Sequence, residues 1–169
     1  MAGENHRTDV LASGLVWLEP IAEQQLRAIL AGAPEADRPW ERGFPAAPLL
    51  DFLRRAEGNA ELLGRFFAYV IVRVSDGKAV GDAGFHGPPG ADGEVEIGYA
   101  LVPDARGSGL AGEAVRLLID WAAAQPGVKR IIARVDEGNE HAGRSEHLLR
   151  RLGFVSDGTR DGMRRFVLR

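Results

Sequence analysis

The chain has 169 residues, 45% of them hydrophobic and 27% charged, with a net charge of −3; this is one ordinary globular domain, not a disordered chain. It has no cysteine, which excludes disulfides, thiolate metal sites and a cysteine nucleophile. Acidic residues outnumber basic ones, 24 to 21, against a nucleic-acid partner, and no apolar run approaches the ~20 residues of a membrane span.

In chain order, residues 1–13 read as a loose polar terminus and 15–18 as a short strand stopped by Pro20. Ile21, Leu26, Ile29 and Leu30 recur at near-helical spacing until Gly32-Ala33-Pro34. Residues 33–48 hold four of the nine prolines, with Trp40 and Phe44, and predict a long loop of the kind that tends to be functional or mobile. A helix is expected over 49–63. Strands follow at 66–74, 79–86 and 94–102, separated by turns at Ser75-Asp76-Gly77-Lys78 and over 87–93. In the third strand Val95, Ile97, Tyr99 and Leu101 alternate with Glu94, Glu96, Gly98 and Ala100. From Gly109 the period is helical, with Leu110, Ala114, Leu117, Leu118 and Trp121 on one stripe until Pro126-Gly127. A buried strand over 130–135 should lie parallel to the strand before that helix. A helix over 143–152 ended by Gly153, then short strands at 154–155 and 163–168 around a loop at 156–162, complete a single mixed α/β domain over 1–169.

His6, His86, His141 and His147 show no zinc-ligand spacing, so no metal is expected. Residues 10–18 follow Glu4 and Asp9 and lead to no small-residue cleavage pattern, so the stretch is read as coil entering a strand, and a cytoplasmic location is expected.

The segment Pro103 to Gly112 stands between a strand and an amphipathic helix. Its glycines remove Cβ atoms where backbone must come close to another group. The free N–H groups and positive dipole end of the helix favour an anion, and Arg106 adds a planar donor fork suited to phosphate. A pyrophosphate cradle and a plain glycine-rich turn capped by Ser108 are both open at this point. A P-loop is excluded because no lysine is near. Gly107-Ser108-Gly109-Leu110-Ala111-Gly112 matches the dinucleotide pattern G-x-G-x-x-G. However, four residues intervene after the strand, and no βαβ series follows.

Arg106-Gly107-Ser108-Gly109-Leu110-Ala111 resembles the [RQ]-x-x-G-x-[GA] motif of the GNAT superfamily of acyl-CoA-dependent N-acetyltransferases. Residues 96–103 resemble the strand before that motif. Asn139, with Ser145 and the run Leu148-Leu149-Arg150-Arg151-Leu152-Gly153-Phe154, resembles the family's N-x-x-S…LL-x-x-LGF segment. The resemblance covers residues 66–169 and leans toward the branch that acetylates ribosomal-protein N-termini. It implies a mixed sheet of six to seven strands, splayed between the fourth and fifth, with about four helices. It also implies acetyl-CoA as cofactor. Arg106, Gly107, Ser108, Gly109, Leu110 and Ala111 would hold the pyrophosphate, Leu101 and Val102 would pair with the pantetheine arm, and Asn139 and Ser145 would face the coenzyme. Two departures stand out: Asn139 and Ser145 are six residues apart instead of three, and Leu149 stands where many relatives place a tyrosine acid. A catalytically silent acyl-CoA-binding module on the same fold is the alternative this leaves open, with Ser145, water or unaided departure replacing the tyrosine.

The acceptor implied is an amine, on a small molecule or a peptide, and a homodimer is compatible with the resemblance. A lysine-like amine of pKa ~10.4 requires ~4.6 kcal/mol to be neutral at pH 7, so a base is needed. Glu96 is the first candidate, because its neighbours Gly98 and Ala100 leave room for a ligand; His86 is the second. Trp40 and Phe44 are candidates for the acceptor pocket, and Asp157 and Asp161 for contacts to a cationic amine.

Overall fold

The computed structural model describes residues 10–169. Of the terminus expected to be loose, residues 1–9 lie outside the described residues. Leu11–Ala12 is instead a short strand, β1, folded back through a turn at Ser13 onto β2 (Val16–Pro20). Helices α1 (Glu23–Leu30) and α2 (Ala47–Ala56) follow. The helix expected over 49–63 therefore ends early: Gly58 adopts a positive φ of 76°, and a single 3-10 turn at Ala60–Leu62 covers the remainder.

Three antiparallel strands form the centre: β3 (Ala68–Arg73), β4 (Ala79–Phe85) and β5 (Glu94–Leu101). Five of the six β3 residues are buried, as expected of a strand covered on both faces. Helix α3 (Leu110–Ala123) packs through Leu110, Ala114, Val115, Leu118 and Ala122. Its exit leads to β6 (Arg130–Asp136), parallel to β5 as a helical crossover requires. Helix α4 (Ala142–Arg151) and the hairpin β7 (Val155–Arg160) and β8 (Met163–Leu168) complete the chain.

The sheet has eight strands in the order β1-β2-β3-β4-β5-β6-β8-β7, one or two more than expected. The first addition is β1. The second difference is the length of the last hairpin: Asp161 (φ 53°) and Gly162 (φ 75°) form its two-residue turn, so the expected loop at 156–162 is mostly strand.

The β5–β6 pairing runs from Glu94↔Arg130 to Ile97↔Ala133 and stops. Beyond it β5 continues to Leu101 beside β4 only, and β6 continues to Asp136 beside β8 only. The two strands thus part into a wedge with its closed end at Ile97 and Ala133.

Candidate active site

The open end of the wedge lies beside a built turn. After β5, a 3-10 turn at Pro103–Ala105 leads to Gly107 (φ 84°) and Gly109 (φ 78°), both left-handed. A Cβ at either glycine would meet no atom within 4 Å; glycine is needed for its backbone angle, and the space above is open. Gly109 caps α3 without any side-chain hydrogen bond. Ser108 is exposed and does not provide the cap that a plain turn would have. Glu113 N–H is the first to reach a carbonyl within the helix, that of Gly109, so the N–H groups of Leu110, Ala111 and Gly112 remain open to an anion. The Leu110 side chain is buried in the core and anchors this end. Arg106 spans the opening: its Nε donates to Leu101 O at 3.2 Å, and a terminal nitrogen lies 3.2 Å from His141 Nε2.

Hydrogen-bond parity decides which β5 groups face the wedge. Val102 N–H donates to Val80 O, and His86 N–H to Glu96 O, both at 2.9 Å. By the alternation of an antiparallel ladder, Gly98, Ala100 and Val102 face β4, and Tyr99 and Leu101 face the wedge. Val102 O also accepts from Ala105 N–H at 3.0 Å. The expected pairing of Val102 with a pantetheine arm is therefore corrected: both its backbone groups are engaged, and Tyr99 joins Leu101 as the available partner.

On the other face of β4 and β5 lies a cavity of about 680 Å³ beneath α2. Leu49, Phe52 and Phe67 are among its walls, and Gly84 and Gly98, which pair across the strands, form its floor. His86 stands at one end. A Cβ on Gly98 would fall 3.0 Å from His86 Nε2, so the imidazole lies directly over that glycine at the closed end of the wedge. His86 Nδ1 lies 3.4 Å from Glu96 Oε1, while the other Glu96 oxygen pairs with Arg134. Burial raises the Glu96 pKa, but the hydrogen bond with His86 and the charges of His86, Arg134 and Arg165 outweigh it and hold the carboxyl below its ordinary range. At the far end of the floor stands Asp82, with no hydrogen bond or ion pair among the described residues. Desolvation alone pushes its carboxyl up to about 7.

The structure thus brings Glu96 and His86 together. Ser145 lies on the opposite face, in the first turns of α4, where its backbone O accepts from Tyr99 OH at 3.4 Å. Burial raises the Tyr99 pKa more than this hydrogen bond lowers it. The Asn139 side-chain oxygen accepts from His141 N–H at 2.7 Å, shaping the turn before α4. Leu149 is fully buried, so the position expected for a tyrosine belongs to the core. Four acceptor-side expectations are corrected. Phe44 is a core residue, and Trp40 packs edge-on against it at 5.5 Å and bridges to Ala79; neither lines the cavity. Asp157 is paired with Arg165, and Asp161 occupies the tip of the β7–β8 hairpin, outside the cavity lining.

Sequence reasoning missed Asp82 and Tyr99. A lone acid between Gly81 and Gly84 in an otherwise apolar strand was the signal for the first. The second was masked by the alternation that placed Tyr99 among core residues.

The GNAT acetyltransferase domain model matches residues 16–155. The "uncharacterized N-acetyltransferase YjdG" of Bacillus subtilis is 30% identical over 155 residues, which span 90% of this chain and 88% of that protein. The chain belongs to the GNAT acetyltransferase family and is an N-acetyltransferase by class. Among solved structures, an acetyltransferase from Agrobacterium tumefaciens str. C58 has a TM-score of 0.65 at 19% identity, covering 95% of this chain and 94% of that one. RimL, a ribosomal L7/L12 α-N-protein acetyltransferase solved with coenzyme A, has a TM-score of 0.66 at 15% identity, covering 94% and 97%. These two likenesses are of fold. The dinucleotide reading fails on the fold: the glycine run is separated from β5 by a 3-10 turn, and β5–β6 is the one parallel pair among the described strands.

Proposed function

We propose that the protein transfers the acetyl group of acetyl-CoA to a primary amine by direct attack, with His86 as the base. The observation that carries this reading is the wedge: it opens beside the left-handed glycine turn and closes at Ile97, next to Gly98, which lies directly under His86 Nε2. The coenzyme pyrophosphate would sit on the open N–H groups of α3, and its arm would pair with Tyr99 and Leu101 like an added strand. Arg106 would exchange its Leu101 contact for phosphate.

Glu96, the base expected from sequence, is better suited to orient. Its carboxylate accepts the His86 Nδ1 proton, which leaves the Nε2 lone pair facing the cavity. The attacking nitrogen forms a bond to the thioester carbon and gives up its proton to Nε2, and the C–S bond then breaks. A thiolate of pKa ~8.5 is a tolerable leaving group. Tyr99 OH, which burial makes a weaker acid than usual, would turn from Ser145 O to offer that sulfur a hydrogen bond in place of complete proton transfer.

Calorimetric titration with acetyl-CoA, with NADH as control, tests the site. Micromolar acetyl-CoA binding and silent NADH are expected. In Gly109→Trp the indole fills the open space above the turn and abolishes binding; unchanged affinity in the folded variant would remove the cradle from this account.

A further inference from the structure

The cavity holds a charge that the proposed chemistry does not use. Asp82 projects from the same face of β4 as His86, four residues away, and pairs in register with Ala100. Between the two lies the Gly84–Gly98 row. Because His86 Nε2 leans over Gly98, the remaining distance to the Asp82–Ala100 row is about 7 Å, two residues of strand. The walls between are Phe52, Phe67 and Leu49. The other charged groups at the cavity, Arg55, Glu61 and Arg65, belong to α2 and the segment after it, and none is paired with Asp82.

We infer that Asp82 receives a second, cationic group of the acceptor, so that the substrate is a compact diamine-like molecule. Its attacking nitrogen sits at His86, its other nitrogen at Asp82, and a spacer of about four to five carbons crosses the glycine floor. This deepens the proposed function and rests on it. The chemistry selects this class for three reasons. An ionised carboxylate only accepts hydrogen bonds, so its partner must donate. Among the described residues none supplies that donor, and desolvation without compensation is what pushes the carboxyl up to about 7. A monoamine would leave the carboxylate unpaired, and an acceptor with a distal carboxylate would set like charges together. The apolar walls fit the methylenes of the spacer.

The test is binding, without acetyl-CoA, of three ligands of equal length at pH 8: an α,ω-diamine, the monoamine, and the amino acid carrying a carboxylate at the far end. In the wild-type protein the diamine should bind about tenfold or more tighter than the monoamine, the gain expected of a charged hydrogen bond, with the amino acid weakest. In Asp82→Asn the diamine preference should fall to about twofold or less. A preference absent from the wild type, or surviving in Asp82→Asn, overturns the inference. A diamine length series needs no variant: affinity should peak at about four to five carbons, and a steady rise with length overturns it equally. Acetyl-CoA titration of the same proteins separates the two claims. Silence there removes the acetyl-transfer reading and leaves the diamine site standing; donor binding without diamine preference does the reverse.

Discussion

An aspartate in an unfolded chain ionises near 3.9, whereas Asp82 in the fold ionises near 7. Between those values the folded protein holds a proton that the unfolded chain has lost. Stability therefore falls as pH rises through this window, and the loss is complete above about 7. Allowing for the solvent that reaches the carboxyl through the cavity, the loss is about 2 kcal/mol. Asp82→Asn removes the titration. Its Tm should exceed the wild type by about 4–8 °C at pH 8 and by about a third of that at pH 5, as read in thermal melts across pH. Equal melting curves at both pH values would contradict the desolvated carboxyl. At the other end of the floor, the proposed mechanism has Glu96 act through His86. Glu96→Gln should lower kcat about tenfold or more at pH 7, with the deficit narrowing toward pH 9, where more of the amine is already neutral. Tyr99→Phe should lower kcat by the same modest factor at every pH, because its proposed contact is with the leaving sulfur and not with the amine.

At the scale of elements, the site is made by a strand pair that separates and a helix that begins without a cap. The closed end of the wedge is laced by charge: Arg165 of β8 pairs with both Glu94 of β5 and Asp157 of β7, and Arg134 of β6 pairs with Glu96 of β5. Half-exposed pairs are individually worth ~0–1 kcal/mol; their effect here is to join β5 to β6 and β8 where the ladder is still closed. Beyond that point Tyr99 and Leu101 are the residues whose backbone lacks a neighbouring strand on the wedge side. Hydrogen exchange should therefore slow at Tyr99 and Leu101 when acetyl-CoA binds, and change little at Ala100 and Val102, whose N–H groups face β4 in both states. Equal slowing along the whole strand would show that the coenzyme arm does not add to this edge.

On the scale of the molecule, the wedge runs between β5 and β6, the cavity lies on the face of β4 and β5 beneath α2, and the β5 segment from Gly98 to Ala100 borders both. In the proposed reaction the donor would come through the wedge and the acceptor through the cavity, to meet at Gly98. A ligand held by β5, α3 and α4 together stabilises elements from both halves of the sheet. Acetyl-CoA at a hundred times its Kd should add about 2.7 kcal/mol to stability and raise Tm by about 5–10 °C. NADH at equal concentration should not shift it.

Much of this was legible along the chain. The change from strand to helix period at Gly109, the parallel crossover and the glycine turn all follow from side chains a few residues apart, whose chemistry is local. The resemblance over 66–169 rests on those same segments. The hairpin at Asp161-Gly162 was also written locally, although its polar strand Val155–Arg160 carries no buried residue to reveal it. Other features depended on register and packing. Trp40 and Phe44 read as pocket residues until packing placed them together against the core. Glu96 read as a base until Arg134, 38 residues away, met its second oxygen. Asp82 gained its meaning from the helix above it and the glycines beside it. Local periodicity determines which elements form. Which backbone groups stay unpaired, and which carboxylate is left without a cation, is decided only when distant strands set their register and shut out water.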